Sequence, residues 1–149
     1  MLAYAPPIVF CERTGVWAAA WRRVWSRRAL RGKSAPRIVE TRGASECRER
    51  IAANRAAFVV AEIASTNAEA TLDLLFDLSF AFPGVASAVV AERAMSGYGP
   101  LARELGALAF VVSPLELEDV CDLAERHLKQ AAREPADVCQ RIWNELPWA

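Results

Sequence analysis

Three glutamates follow apolar runs, and their spacing raises the question of carboxylate chemistry. Glu12 follows Ile8-Val9-Phe10-Cys11, Glu62 follows Phe58-Val59-Val60-Ala61, and Glu92 follows Ala88-Val89-Val90-Ala91. If the three runs are parallel strands, all three carboxylates reach one rim of a sheet. Oxygen ligands brought together in this way suit a hard cation such as Mg²⁺. Arg13 and Arg93 stand beside two of them, however, and supply positive charge without a metal. We therefore expect no metal here, and strand-end carboxylates paired with Arg13 or Arg93.

Other catalytic arrangements are poorly represented. His127 is the only histidine and falls late in the last regular helical pattern. It is too remote from the strand ends to serve a nucleophile as base. The turn Glu12-Arg13-Thr14-Gly15 lacks the glycine spacing of a dinucleotide site, although its helix start could contact an anion. Cys11, Cys47, Cys121 and Cys139 show neither CxxC nor zinc-finger spacing, so they read as reduced thiols of a cytoplasmic protein. The expectation is a protein that is not an enzyme and carries no cofactor.

The elements that must position these residues are legible in the apolar pattern. Strand-length runs occur at 7–11, 37–40, 57–61, 86–91 and 107–112. The last three are continuously apolar, as in parallel strands covered on both faces. Helical periodicity fills the gaps at 15–31, 46–55, 67–82, 100–106 and 115–130, with Asn67 placed as an N-cap and Pro83-Gly84 as a stop. Five alternating units predict an α/β fold. The economical form is a three-layer α/β/α sandwich around a doubly wound five-stranded parallel sheet of order 2-1-3-4-5. Residues 1–132 form the domain, and 133–149 form a C-terminal helical tail.

The chain has 149 residues, of which 54% are hydrophobic, enough for one packed core. It lacks an apolar run of membrane-spanning length and a secretory leader pattern. Charge is divided: residues 13–50 hold 11 Lys or Arg against 3 Glu, and residues 51–149 hold 7 basic against 14 acidic. Such polarity favours a charged partner or a second copy of the chain as a homodimer.

Gly106-Ala107-Leu108-Ala109-Phe110-Val111-Val112-Ser113-Pro114, followed by Leu115-Glu116-Leu117-Glu118-Asp119-Val120, resembles the last strand and helix of response-regulator receiver domains. Phe110 falls at the family's aromatic position, and Pro114 at a proline whose peptide bond is usually cis there. Ser113 stands where the family has lysine. Glu62 stands at the phospho-accepting aspartate. Cys11 and Glu12 fall in the region of the first-strand acidic pair, with only Glu12 acidic. Glu92 lies where the fourth strand ends, and no Thr or Ser occupies the family's hydroxyl position. The resemblance implies a degenerate phosphoacceptor site made of Cys11, Glu12, Glu62, Glu92, Ser113 and Pro114.

Phosphoryl transfer to a carboxylate needs an in-line nucleophile, a metal ion and a cation to offset developing charge. Glu62 is one methylene too long, and a misplacement near 1 Å can cost on the order of 10²-fold. Ser113 carries no charge. Either Glu62 imitates a phosphorylated state or it is a paired strand-end carboxylate. Ser113 and Glu116 also have the spacing of a capping box, and the sequence leaves both readings of Ser113 open.

Trp17, Trp21 and Trp25 recur every four residues, with Arg22 and other arginines off their face. Docking on the sheet and a protein interface are the competing readings; nucleic acid and a membrane surface are disfavoured. Phe110, Trp143 and Trp148 are further interface candidates, the tail docking in cis or binding in trans. The expected function is a non-phosphorylatable receiver-like signalling or regulatory module acting through contacts with an unknown protein partner. The alternative is a flavodoxin-like small-molecule binder or enzyme using the cleft at the carboxyl ends of the strands.

Overall fold

The computed structural model describes residues 5–145, and from residue 133 onward its description is of the backbone. Five strands, β1 (Ile8–Cys11), β2 (Ile38–Thr41), β3 (Phe58–Ile63), β4 (Ala86–Ala91) and β5 (Phe110–Val111), alternate with five helices. The helices are α1 (Val16–Ala29), α2 (Ala44–Ala53), α3 (Ala68–Ala81), α4 (Gly99–Glu104) and α5 (Leu117–Glu145). Short 3-10 turns, Arg93–Tyr98 and Pro114–Glu116, precede α4 and α5. The sheet order is β2-β1-β3-β4-β5 and every pairing is parallel, as the apolar pattern predicts.

Strand alternation distributes the core. Ile8, Phe10, Phe58, Val60, Ala88 and Val90 pack under α1 and α5. Val9, Cys11, Val59 and Ala61 face the other way, under α2 and α3. A third cluster, around Ile63, Leu75, Val89 and Ala102, carries the second face out to α4. The result is the expected three-layer sandwich.

Two boundaries and one cap differ from the sequence reading. β5 holds only two residues; before it Leu108 N–H donates to Ser87 O of β4, and after it Val112 N–H donates to the Glu116 carboxylate. α5 does not stop near Lys129 but continues to Glu145, so the tail through that residue prolongs the same helix. Asn67 occupies the N-cap of α3, yet its Oδ1 turns back to accept from Ala64 N–H at 2.7 Å rather than capping the helix.

A charged clasp joins α1 to α5. Arg28 is buried, and its guanidinium donates to Glu118 at 2.9 Å, Asp122 at 2.7 Å and Glu125 at 3.4 Å. Its guanidinium lies over the Trp25 ring, with Cζ 5.1 Å from the centroid. Lys33 and Lys129 also reach Glu125, and Lys33 is the main cause that holds the Glu125 carboxyl below its ordinary range. At the β2 edge Arg22, and secondarily Arg42, lowers Glu40 in the same way. A carboxyl depressed in the folded state contributes stability above its unfolded pKa and loses it as pH falls through the folded value. The melting temperature should therefore hold steady above about pH 5 and drop below about pH 4. Thermal melts followed by circular dichroism check this, and high salt should shrink the drop.

Among the described residues no helix is long and apolar enough to cross a membrane.

Candidate functional site

Parallel register places the carboxyl ends of β1 and β3 side by side. Cys11 registers with Ala61, so Glu12 and Glu62 come next at the rim. β1 and β3 also flank the point where the strand order reverses, which is where open α/β sheets usually bind ligands. The site is therefore in the expected place, and its contents decide what it can do.

Glu12 shares the alternation of Ile8 and Phe10 and so faces α1. It is almost fully buried. Its two carboxylate oxygens accept the backbone N–H groups of Trp17 at 2.9 Å and Ala18 at 2.7 Å. These donors belong to the first turn of α1, which has no intrahelical acceptors for them. Gly15, at φ +88°, turns the chain so that they point back at Glu12. A side chain at Gly15 would be strained there and would crowd Arg42 and Glu40. The helix start considered for an external anion is thus filled by the protein's own carboxylate.

Glu62 is buried at the end of β3. Its Oε1 accepts from the Arg13 backbone N–H and from Arg13 Nε, each at 3.2 Å. Arg13 continues outward to Thr66 Oγ1 at 3.4 Å. The Arg13–Glu62 pair spans the crevice between β1 and β3. Of the two arginines considered as partners, Arg13 is the one engaged. Arg93 is exposed and forms no ion pair among the described residues.

Glu92 is exposed and begins the 3-10 turn. It does not join Glu12 and Glu62 in a ligand set: among the described residues no three of His, Cys, Asp and Glu are grouped to hold a metal ion. The residues do not fit Mg²⁺, since Glu12 is spent on amide donors and Glu62 on an arginine.

Ser113 resolves toward its capping role. Its hydroxyl accepts from Leu115 N–H at 3.3 Å, while Glu116 accepts from the N–H groups of Val112 at 3.0 Å and Ser113 at 3.4 Å. This is the full capping box ahead of α5. The residue at the lysine position is a helix starter. Ser113→Ala should lower stability by about 1 kcal/mol, read as a shift of the urea midpoint at constant slope. The bond before Pro114 is trans, since no cis peptide occurs among the described residues, contrary to what the resemblance implied.

Cys11 lies on the opposite sheet face from Glu12 and packs under α2. Its thiol and that of Cys47 are hydrogen-bonded, and this bond together with burial pushes the Cys47 thiol up. Burial also pushes Cys121 up to about 12. Cys11, Cys47 and Cys121 are free and buried, and Cys47 and Cys121 are held as thiols rather than nucleophilic thiolates. His127 packs on Phe58 with its Nε2 3.0 Å from Ala56 O, at the amino end of β3 and away from the rim.

The tryptophan face requires a correction. Trp17, Trp21 and Trp25 are all buried against the sheet and cannot present an interface. Period-four aromatics fill the gap between α1 and the strands, and Phe10 meets Trp21 edge-on at 5.5 Å. Arg22 remains exposed but is tied to Glu40 at 2.9 Å. Phe110 is half-buried and lies against Gly99, where a Cβ would approach its ring to 3.3 Å. The side chain of Trp143, and Trp148 altogether, lie outside the described residues.

The Arg28 clasp escaped the sequence reading. Its signal was available: Glu118, Asp122 and Glu125 recur at helical spacing on α5, opposite the only arginine on the tryptophan face.

No protein-family model and no curated protein matches the chain. Solved structures do. The response regulator StyR superposes with a TM-score of 0.61 at 20% identity, covering 95% of this chain and 71% of that one. The fold is that of a receiver domain. A Burkholderia pseudomallei protein described as pilus assembly-related gives a TM-score of 0.59 at 18% identity, covering 85% of this chain and 95% of that one. At these identities the likeness speaks for the receiver fold alone.

Proposed function

We propose that this chain is a receiver-shaped signalling or regulatory module that does not accept a phosphoryl group and acts through protein contacts. The observation that carries the reading is the commitment of both rim carboxylates to internal partners: Glu12 to the amides of α1 and Glu62 to Arg13. The capping role of Ser113 supports it, because no cation replaces the receiver lysine there. The likeness in fold to a response regulator supports the receiver-shaped part of the reading. The module is not itself an enzyme on this reading. Its Glu62–Arg13 pair holds the rim in one state, where a receiver's aspartate would be free to switch.

Amide NMR tests the reading with two probes, Mg²⁺ alone and Mg²⁺ with beryllium fluoride, a tetrahedral phosphoryl mimic. The expected spectra leave the Arg13, Glu62, Ile63 and Ser113 amides unmoved. Saturable shifts at those amides would overturn it.

A further inference from the structure

Two surface patches of this molecule are complementary, and they lie on opposite faces of the sheet. The first is a groove of about 590 Å³ between α1 and the turn before α5. Arg23 and Arg27, on α1, and Arg31, in the turn just past its end, line it. Unlike Arg28, none of the three forms an ion pair among the described residues. Arg28 and Glu118, paired with each other, also line it, and the rest of the wall is apolar. Val24 and Pro114 contribute to it, and Leu115 stands 90% exposed at its side.

The second patch is the outer stripe of α3. Glu69, Asp73, Phe76 and Phe80 fall within a narrow arc of the helix, and all four are exposed. Phe76 and Phe80 are 54% and 82% exposed and stack on each other at 5.8 Å with nothing above them among the described residues. Helix α3 contains no Lys or Arg. Glu69 and Asp73 form no ion pair among the described residues, whereas the neighbouring Asp77 is held by Arg48. The two free acids are four residues apart, the spacing of Arg23 and Arg27.

We infer that the occupant of the arginine groove is the α3 stripe of a second copy of this chain. Glu69 and Asp73 meet the arginine row, and the Phe76–Phe80 pair covers Leu115 and the apolar wall. Unpaired like charges in a row are costly alone and gain most from an opposite row. Stacked exposed aromatics gain by being covered. Because the two patches are different surfaces, the contact is head-to-tail, so each copy retains one free patch and assembly can continue past two. The inference deepens the contact-acting module proposed above and rests on it.

Sedimentation velocity of the full chain provides the test. The wild type should gain mass with concentration and lose it at high salt. Arg27→Glu and Phe80→Glu should each weaken association by at least about tenfold while keeping the wild-type circular dichroism and melting temperature. Each variant retains the patch that the other has lost. Mixed one to one, they should form a heterodimer that grows no further. A wild type that stays monomeric at all concentrations would overturn the inference, as would a mixture that stays monomeric, or association indifferent to both substitutions. Those outcomes leave the rim intact as an unreactive site, and phosphorylation of a head-to-tail assembling chain would do the reverse, so the two failures are distinguishable.

Discussion

Glu12→Ala lowers the stability of the fold by about 3 kcal/mol, a drop of roughly 6–12 °C in melting temperature for a chain of this size. The substitution strips two buried amide donors, Trp17 N–H and Ala18 N–H, of their acceptors at once. Each such orphan costs about 1–3 kcal/mol, and the loss of a helix cap alone costs about 1. Water cannot substitute readily, because Glu12 is only 1% exposed and its removal opens a space walled by the sheet and α1. Glu12→Gln, which keeps one acceptor oxygen and the volume, should lose about half as much. Urea unfolding of the three proteins measures the series. A metal ligand would behave differently: its removal would change Mg²⁺ dependence and leave the apo-protein as stable or more so.

Trp21→Ala is the more damaging change, at about 4 kcal/mol or more, enough to leave the chain close to unfolded. Trp21 is fully buried and contacts Phe10 edge-on and Trp25 at 6.4 Å. Truncation leaves a large cavity in the centre of the α1–sheet interface. Trp21→Phe should cost far less. Its Nε1 is buried with no hydrogen-bond partner, so phenylalanine loses packing area but retires an unsatisfied donor worth about 1–3 kcal/mol. Chemical denaturation, with near-ultraviolet circular dichroism as a check on packing, reads both. If Trp21 belonged to an interface, alanine would leave monomer stability unchanged and alter only association.

The architecture was legible because parallel strands buried on both faces must be continuously apolar, as Phe58–Ala61 and Val89–Ala91 are. The helix faces followed from period-four spacing, and Leu117, Val120, Cys121 and Ala124 do enter the core. The site was legible only in position. Whether Glu12 caps a helix or binds a cation depends on the left-handed turn at Gly15, which aims two amides at it, and no local pattern distinguishes the outcomes. The identity of Glu62's partner likewise required the β1–β3 register. Beyond surface pairs such as Arg22–Glu40 and Arg48–Asp77, the arginines counted as surface charge divided into three kinds. Arg28 is buried in a clasp, Arg13 closes the rim, and Arg23, Arg27 and Arg31 are left without acids among the described residues. Only tertiary placement separates them, because the same guanidinium serves all three.

Intact-mass spectrometry after incubation with acetyl phosphate and Mg²⁺ addresses the central claim most directly. With Glu62 bonded to Arg13 and Glu12 spent on the first turn of α1, the mass should stay that of the unmodified chain at every time point. A stoichiometric gain of one phosphoryl group, lost from a Glu62→Gln variant, would contradict the account.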